Sequence, residues 1–165
     1  QRVDCAIRIG ELSDSSLVGT RLADNQRVVV ASPHYLGRAG TPQSPHDLKH
    51  HECLSLAAHS GQNRGWLFRI DGQTQAVRIQ GSMACSDGSV LHAWCLEGFG
   101  LAWRSLWEVR QDIQDKRLVT VLDTFRAPPS GIFALMPERR LTPPKGRGLI
   151  DWLKYHYQRP DYWLA

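Results

Sequence analysis

The chain reads as an α/β domain, and three features of its 165 residues point there. Val28-Val29-Val30 is a β-branched run suited to a strand buried on both faces, and Ser32-Pro33 stops it with an N-cap and a proline for a first helical turn. Between residues 81 and 122, strand-like and helix-like segments alternate, which predicts an α/β fold with largely parallel pairing. Hydrophobic residues make up 42% of the chain and charged residues 22%, enough apolar material for one domain of ordinary size with a real core.

Taken in order, Cys5, Ala6, Ile7 and Ile9 predict a short strand ended by Gly10, and residues 11–16 are loop-like. Residues 17–22 and 26–31 read as two strands, with Asp24-Asn25 as a turn. After Ser32-Pro33, residues 34–38 allow only a short helix before Gly40. Ser44-Pro45 repeats the cap-and-proline signal for a turn over 46–49, and residues 51–56 return as a strand. Residues 59–64 form a polar loop. Asp71-Gly72, between residues 66–68 and 76–79, is a strong hairpin signal. Residues 81–85 predict a strand feeding a helix that opens at Ser86-Asp87-Gly88, with Val90, Leu91, Trp94 and Cys95 on one apolar face and Gly98 as its C-terminal cap. A short strand over 100–103 follows. Ser105 caps the next helix, where Leu106, Val109 and Ile113 face one way. Residues 118–122 are a strand, residues 127–131 break the chain, and residues 132–136 form the last strand. Pro143-Pro144 precede a final helix with apolar positions Leu149, Ile150, Leu153 and Tyr157, weakened by Gly146 and Gly148.

Composition excludes several classes. No apolar run approaches the ~20 residues of a membrane span. The net charge of +4 invites a nucleic-acid reading, but Arg2, Arg8, Arg21, Arg27 and Arg38 are scattered. The densest basic group is Arg139-Arg140 with Lys145 and Arg147, which a solvated loop explains. There is no helix-turn-helix pattern. Cysteines 5, 53, 85 and 95 have no CxxC spacing. Cys5 and Cys53 read as buried thiols, and a reduced, cytoplasmic protein is the simplest expectation. His50-His51-x-Cys53, with His46 nearby, resembles a metal cluster only superficially, because residues this close on a turn and strand cannot converge on one ion. Trp94, Trp103 and Trp107 suggest sugar stacking, but their spacing fits core positions. No Walker loop, Gly-x-Ser-x-Gly or paired carboxylates occur, and His92 with Asp87 makes no triad with any nucleophile. No enzyme, cofactor or metal is expected.

The segment from 27 to 54 resembles the effector-binding domain of LysR-type transcriptional regulators. Ala31-Ser32-Pro33, Tyr35-Leu36, Gly40, Pro42, Pro45, Leu48 and Cys53-Leu54 carry the match. It extends upstream to residues 4–10 (DCAIRIG) and downstream to Ser86-Asp87-Gly88, to residues 98–102 (GFGLA), to residues 132–137 (IFALMP) and to residues 149–153 (LIDWL). The resemblance implies a type II periplasmic-binding-protein-like fold of two Rossmann-like α/β subdomains joined by crossing strands. Here the first would be largely missing. Residues 1–21 would be its remnant and the hinge, 22–122 the second subdomain, 123–131 a crossing linker, and 132–165 the closing strand and helix of the first. The larger apolar residues typical of the family are absent at Gly146 and Gly148.

The resemblance also implies a small-molecule effector, an organic anion among the candidates, held in the cleft between subdomains. Ser86, Asp87 and Gly88 would offer a helix start to it. Asp87 or Ser86 serving simply as a cap is the alternative, and both roles can coexist. Arg8 and Gly10 would lie at the first crossing, where Arg8 pairs either with a carboxylate or with a surface acid. Trp103 would wall the pocket or sit in the core, Arg104 would add charge, Pro137 would lie on the far side, and the 11–16 loop could reach in. Self-association as a dimer or tetramer, and DNA binding only through a separate N-terminal domain, are further implications. The rivals are a periplasmic solute-binding protein of similar fold and an enzyme on that fold.

Overall fold

A computed structural model describes residues 5–10, 17–56, 65–137 and 144–159. Residues 1–4, the expected loops at 11–16 and 59–64, and Arg139, Arg140 and Pro143 lie outside the described residues. The strands in chain order are β1 (Ala6–Ile9), β2 (Leu17–Asn25), β3 (Arg27–Ala31), β4 (Cys53–Leu56), β5 (Trp66–Ile70), β6 (Gln73–Val77), β7 (Ala84–Cys85), β8 (Leu101–Ser105), β9 (Val119–Val121) and β10 (Ser130–Pro137). The helices are α1 (Pro33–Ala39), α2 (Gly88–Leu96), α3 (Leu106–Gln114) and α4 (Pro144–Tyr157), with 3-10 turns at Pro45–His50 and Asp123–Phe125. The chain splits into two compact units, Gln1–Gln26 with Pro129–Ala165, and Arg27–Pro128.

The first unit is a three-stranded sheet in the order β1-β10-β2, antiparallel throughout. Leu22, Ile132, Ala134, Met136 and Ile150 form its buried core, and Leu153 and Tyr157 of α4 pack against it. Three expectations are corrected here. Asp24-Asn25 is no turn: β2 runs on to Asn25, which is buried opposite Ser130, because the long β10 ladder supplies partners that override local turn preference. Cys5 is only partly buried, since it leads into an edge strand whose four residues are all exposed. Leu149, expected on the apolar face of α4, is also exposed.

The second unit is built on a five-stranded sheet ordered β7-β4-β8-β3-β9. Val29 and Ala31 of β3 belong to one core with Tyr35, Leu48, Cys53, Trp66 and Phe68. Val28 and Val30 belong to another with Leu54, Leu91, Cys95, Val109 and Leu118. The valine run is thus a central strand covered on both faces. The pairing is not largely parallel: among the described residues, β4 runs parallel to β7 and β8, while β3 is antiparallel to both β8 and β9. A continuous β-branched run reports burial on two faces and is the same for either direction, so the sequence could not settle it.

Turn chemistry is satisfied as expected. Ser32 accepts the Tyr35 N–H at 3.2 Å with Pro33 opening α1. Ser44 and Asp47 close a capping box on the first 3-10 turn, as do Ser105 and Glu108 on α3. Asp71 (φ 51°) and Gly72 (φ 79°) make a two-residue hairpin turn between β5 and β6. The strand expected over 81–85 shrinks to Ala84–Cys85. The segment still approaches β4 closely: the Cys53 and Ser55 N–H groups donate to Gln80 O (2.9 Å) and Met83 O (3.1 Å), and a Cβ on Gly81 would collide with the Cys53 carbonyl. On α2, Leu91 and Cys95 are buried and Val90 is exposed, so its apolar face is narrower than expected.

Candidate functional site

Strands β7 and β8 flank β4 and run parallel to it. The chain leaves β7 into α2 and β8 into α3, so both helix N-termini lie at the carboxyl edge of these strands. That edge is where open α/β sheets bind ligands, and helix N-termini there carry partial positive charge.

At the start of α2, Asp87 is the N-cap. Its Oδ1 accepts the N–H groups of Ser89 (2.7 Å) and Val90 (3.3 Å), and these bonds hold its carboxyl below the ordinary Asp range. Gly88 follows. A Cβ there would lie 3.0 Å from Arg104 Nη2 and 3.3 Å from Nη1, so the absence of a side chain lets the α2 backbone pack close against the guanidinium.

The Arg104 side chain, next to last on β8, is 8% exposed. Glu108 Oε1 lies 3.1 Å from its Nη2, while Glu108 Oε2 accepts the Ser105 N–H at 3.1 Å. One carboxylate is therefore shared between a guanidinium and a helix cap. Arg104 Nε is buried with no hydrogen-bond partner among the described residues. Arg27 is a charged neighbour. Burial lowers its pKa, Glu108 raises it and Arg104 lowers it further.

An open pocket of about 520 Å³ lies against these groups. Gly88, Ser89, His92, Ala93 and Leu96 of α2 form one wall, and Arg104, Trp107 and Glu108 form the other. Beneath it, His92 Nε2 is 2.7 Å from Oδ2 of buried Asp112, tying α2 to α3. Arg117 Nη2 sits 2.6 Å from Asp112 Oδ1, a charge contact without hydrogen-bond alignment.

The structure brings Asp87, Gly88 and Arg104 together, with Ser86 exposed one residue before the cap. Trp103 points to the other face of the sheet, as alternation along β8 requires. It packs on the Tyr35–Leu48 core, and the Arg27 guanidinium lies over its ring at 4.5 Å. Arg8, Gly10 and Pro137 belong to the first unit. Arg8 is exposed on β1 opposite Phe133, the Gly10 N–H donates to Gly131 O at 3.0 Å, and Pro137 ends β10 in register with Leu17. Trp107, expected in the core, is instead 41% exposed on the pocket wall, because Val109 is the α3 residue turned to the sheet. His92 and Glu108 were not among the expected site residues. Ser105 signalled a helix start there, but the ion pair depends on Arg104 lying one residue before the cap and Glu108 three residues after it.

In the histidine-rich turn, His51 is tied to Tyr35, while His46 and His50 are exposed. The Tyr35 hydroxyl lies 3.0 Å from His51 Nδ1 and accepts the Glu52 N–H at 3.0 Å. Burial pushes the Cys53 thiol up to about 12. No group of three or more His, Cys, Asp or Glu suited to a metal ion occurs among the described residues.

The architecture is that of the type II periplasmic-binding-protein-like α/β class, and its solved neighbours are regulatory domains. The regulatory domain of CrgA, a LysR-type transcriptional regulator from Neisseria meningitidis, superposes with a TM-score of 0.78 at 31% identity, covering 94% of this chain and 76% of that one. The regulatory domain of AphB from Vibrio vulnificus gives 0.72 at 27% identity, covering 93% and 75%. The chain belongs to the LysR substrate binding domain family, whose model matches residues 1–158. Among curated proteins, it is 31% identical over 155 residues to the HTH-type transcriptional regulator DmlR of Escherichia coli K12, covering 94% of this chain and 50% of DmlR. It is 32% identical over 167 residues to the HTH-type transcriptional regulator PtxR of Pseudomonas aeruginosa, covering 100% and 53%. The chain thus spans about half the length of the curated relatives it matches. These relatives are transcriptional regulators, so the periplasmic solute-binding alternative is not favoured. No helix among the described residues is long and apolar enough to cross a membrane.

Proposed function

We propose that this chain is the effector-sensing part of a cytoplasmic LysR-type regulator that controls transcription and is not an enzyme. A small metabolite bound by the domain biases its arrangement, and by linkage alters how a dimer or tetramer presents separate N-terminal DNA-binding domains. The observation that carries this reading is the family match along residues 1–158, with relatives named as HTH-type regulators. The candidate effector contacts are Ser86, Asp87, Gly88 and Arg104 at the strand ends of the second unit, Trp103 on its other face, and Arg8, Gly10 and Pro137 on the first unit. The division of the chain into two units supports assigning them to the two subdomains of the family fold.

The test uses the full-length regulator. A metabolite library is screened for thermal stabilisation, and each hit is assayed for a change in operator affinity by fluorescence anisotropy. A hit that stabilises the protein and shifts operator affinity is the expected result. A regulator that binds no operator DNA, or whose operator affinity no stabilising compound moves, would defeat the reading.

A further inference from the structure

We propose that the pocket between α2 and α3 binds a phenol, whose hydroxyl donates to His92 Nδ1 while its ring lies against Ala93, Leu96 and Trp107. The biological role of this site rests on the sensing reading above, whose effector class it specifies.

His92 stands on the α2 wall, 20% exposed, with its Nε2 held 2.7 Å from Oδ2 of Asp112, whose side chain is 8% exposed. A carboxylate only accepts, so the hydrogen of this bond sits on Nε2. That fixes the tautomer: in the neutral ring, Nδ1 carries a lone pair and no hydrogen. Arg117 Nη2, 2.6 Å from Oδ1, already meets the Asp112 charge, so the carboxylate does not require an imidazolium. Nδ1 has no hydrogen-bond partner among the described residues, and it is not one of their enclosed polar atoms. It is an acceptor that opens on the pocket.

The other polar side chains of the wall are engaged with one another. Arg104 pairs with Glu108, whose second oxygen takes the Ser105 N–H, and the Ser89 hydroxyl is turned onto Asp87. Beyond them the wall is apolar, with exposed Ala93, half-buried Leu96 and the Trp107 indole, 41% exposed. One donor on a flat hydrocarbon body matches this lining. A carboxylate would set lone pair against lone pair at Nδ1, and a polyol would leave the apolar wall wet. The volume of about 520 Å³ suits one or two fused rings.

The charged groups around the imidazole are Asp112, Asp115 and Glu108 of α3 and its cap, Arg104 of β8, and Arg117 after α3. Of these side-chain types, imidazole is the one that changes charge between about pH 5 and 8. Protonation turns Nδ1 from acceptor to donor, so the same pocket should change its preference with pH.

The experiment is calorimetry on the full-length regulator at about pH 8. The probes are 2-naphthol, 2-methoxynaphthalene, which has lost the donor, and 2-naphthoate, an acceptor on the same ring. The expected result is millimolar or tighter binding of 2-naphthol and about tenfold weaker binding of the other two, the worth of one hydrogen bond. H92F should bring 2-naphthol down to the level of 2-methoxynaphthalene. W107A should weaken both while keeping the preference for the hydroxyl. In the unaltered protein that preference should vanish at about pH 5, where 2-naphthoate gains, and this holds as a test if H92F does not fold. Equal binding of 2-methoxynaphthalene at the higher pH, the same preference at the lower one, an undiminished preference in folded H92F, no effect of W107A, or no 2-naphthol binding would each overturn the inference. Operator affinity that responds to a metabolite without a donor, in a regulator that binds no phenol, would leave the sensing reading standing while this one falls.

Discussion

Replacing Arg104 with methionine should stabilise the protein. The side chain is 8% exposed, its one described counter-charge lies 3.1 Å away, and its Nε is unpartnered. Desolvating an ion costs several kcal/mol even after relaxation, and a single shared carboxylate returns only part of that. Glu108 is 26% exposed, so once released it can hydrate while still accepting the Ser105 N–H. The lost ion pair is therefore worth about 1 kcal/mol or less. Methionine keeps an unbranched apolar stem in the same space, and repulsion from Arg27 disappears. The net gain should be about 1–3 kcal/mol. For the 27–128 unit, each kcal/mol should raise the melting midpoint by about 4–8 °C. Urea unfolding of both proteins would read it as a higher midpoint at unchanged slope. E108Q should move the midpoint the other way, because it leaves the buried guanidinium without a counter-charge. A loss of about 3 kcal/mol or more in R104M would refute the reasoning, since it would make Arg104 a structural ion.

Three further outcomes follow from the packing and the turns. L91A should cost about 3–5 kcal/mol in urea unfolding, because Leu91 is fully buried beneath α2 in the core with Val28 and Val30. Cys53 and Cys95, whose thiols burial pushes up to about 12, should resist alkylation in the native protein at neutral pH and react only on unfolding, followed by mass spectrometry. Asp87 has a lowered folded-state pKa, so its stabilisation is complete above the ordinary Asp range and is lost as pH falls through the lower folded value; D87N should remove that part of the acid-side slope in pH-dependent melting.

The parts of the fold legible in the sequence are those written in local chemistry. Ser32-Pro33 before α1, Ser105 before α3, and Asp71-Gly72 in the hairpin each act within a few residues of themselves, so their signals survive folding unchanged. Asp24-Asn25 failed as a turn because β10, more than a hundred residues later, supplied a ladder partner. The site divides the same way. Asp87 and Gly88 were readable as a helix start. Trp103 and Arg104 were grouped as neighbours, although alternation on a strand sends them to opposite faces. Trp107 read as core from its spacing, and only the packing of Val109 against the sheet turned it outward.

By itself, then, the sequence determined the α/β class, the caps and turns, and the family resemblance, because all of these rest on residues close together in the chain or on the order of short motifs. The tertiary structure decided strand direction, which valines share a core, and which charged group is buried. Those properties depend on pairs such as Gly88 with Arg104, and on which element covers each face. No local pattern encodes the environment that buries Arg104 or the one that joins His92 to Asp112, and the pocket beside them is the place to look for a ligand.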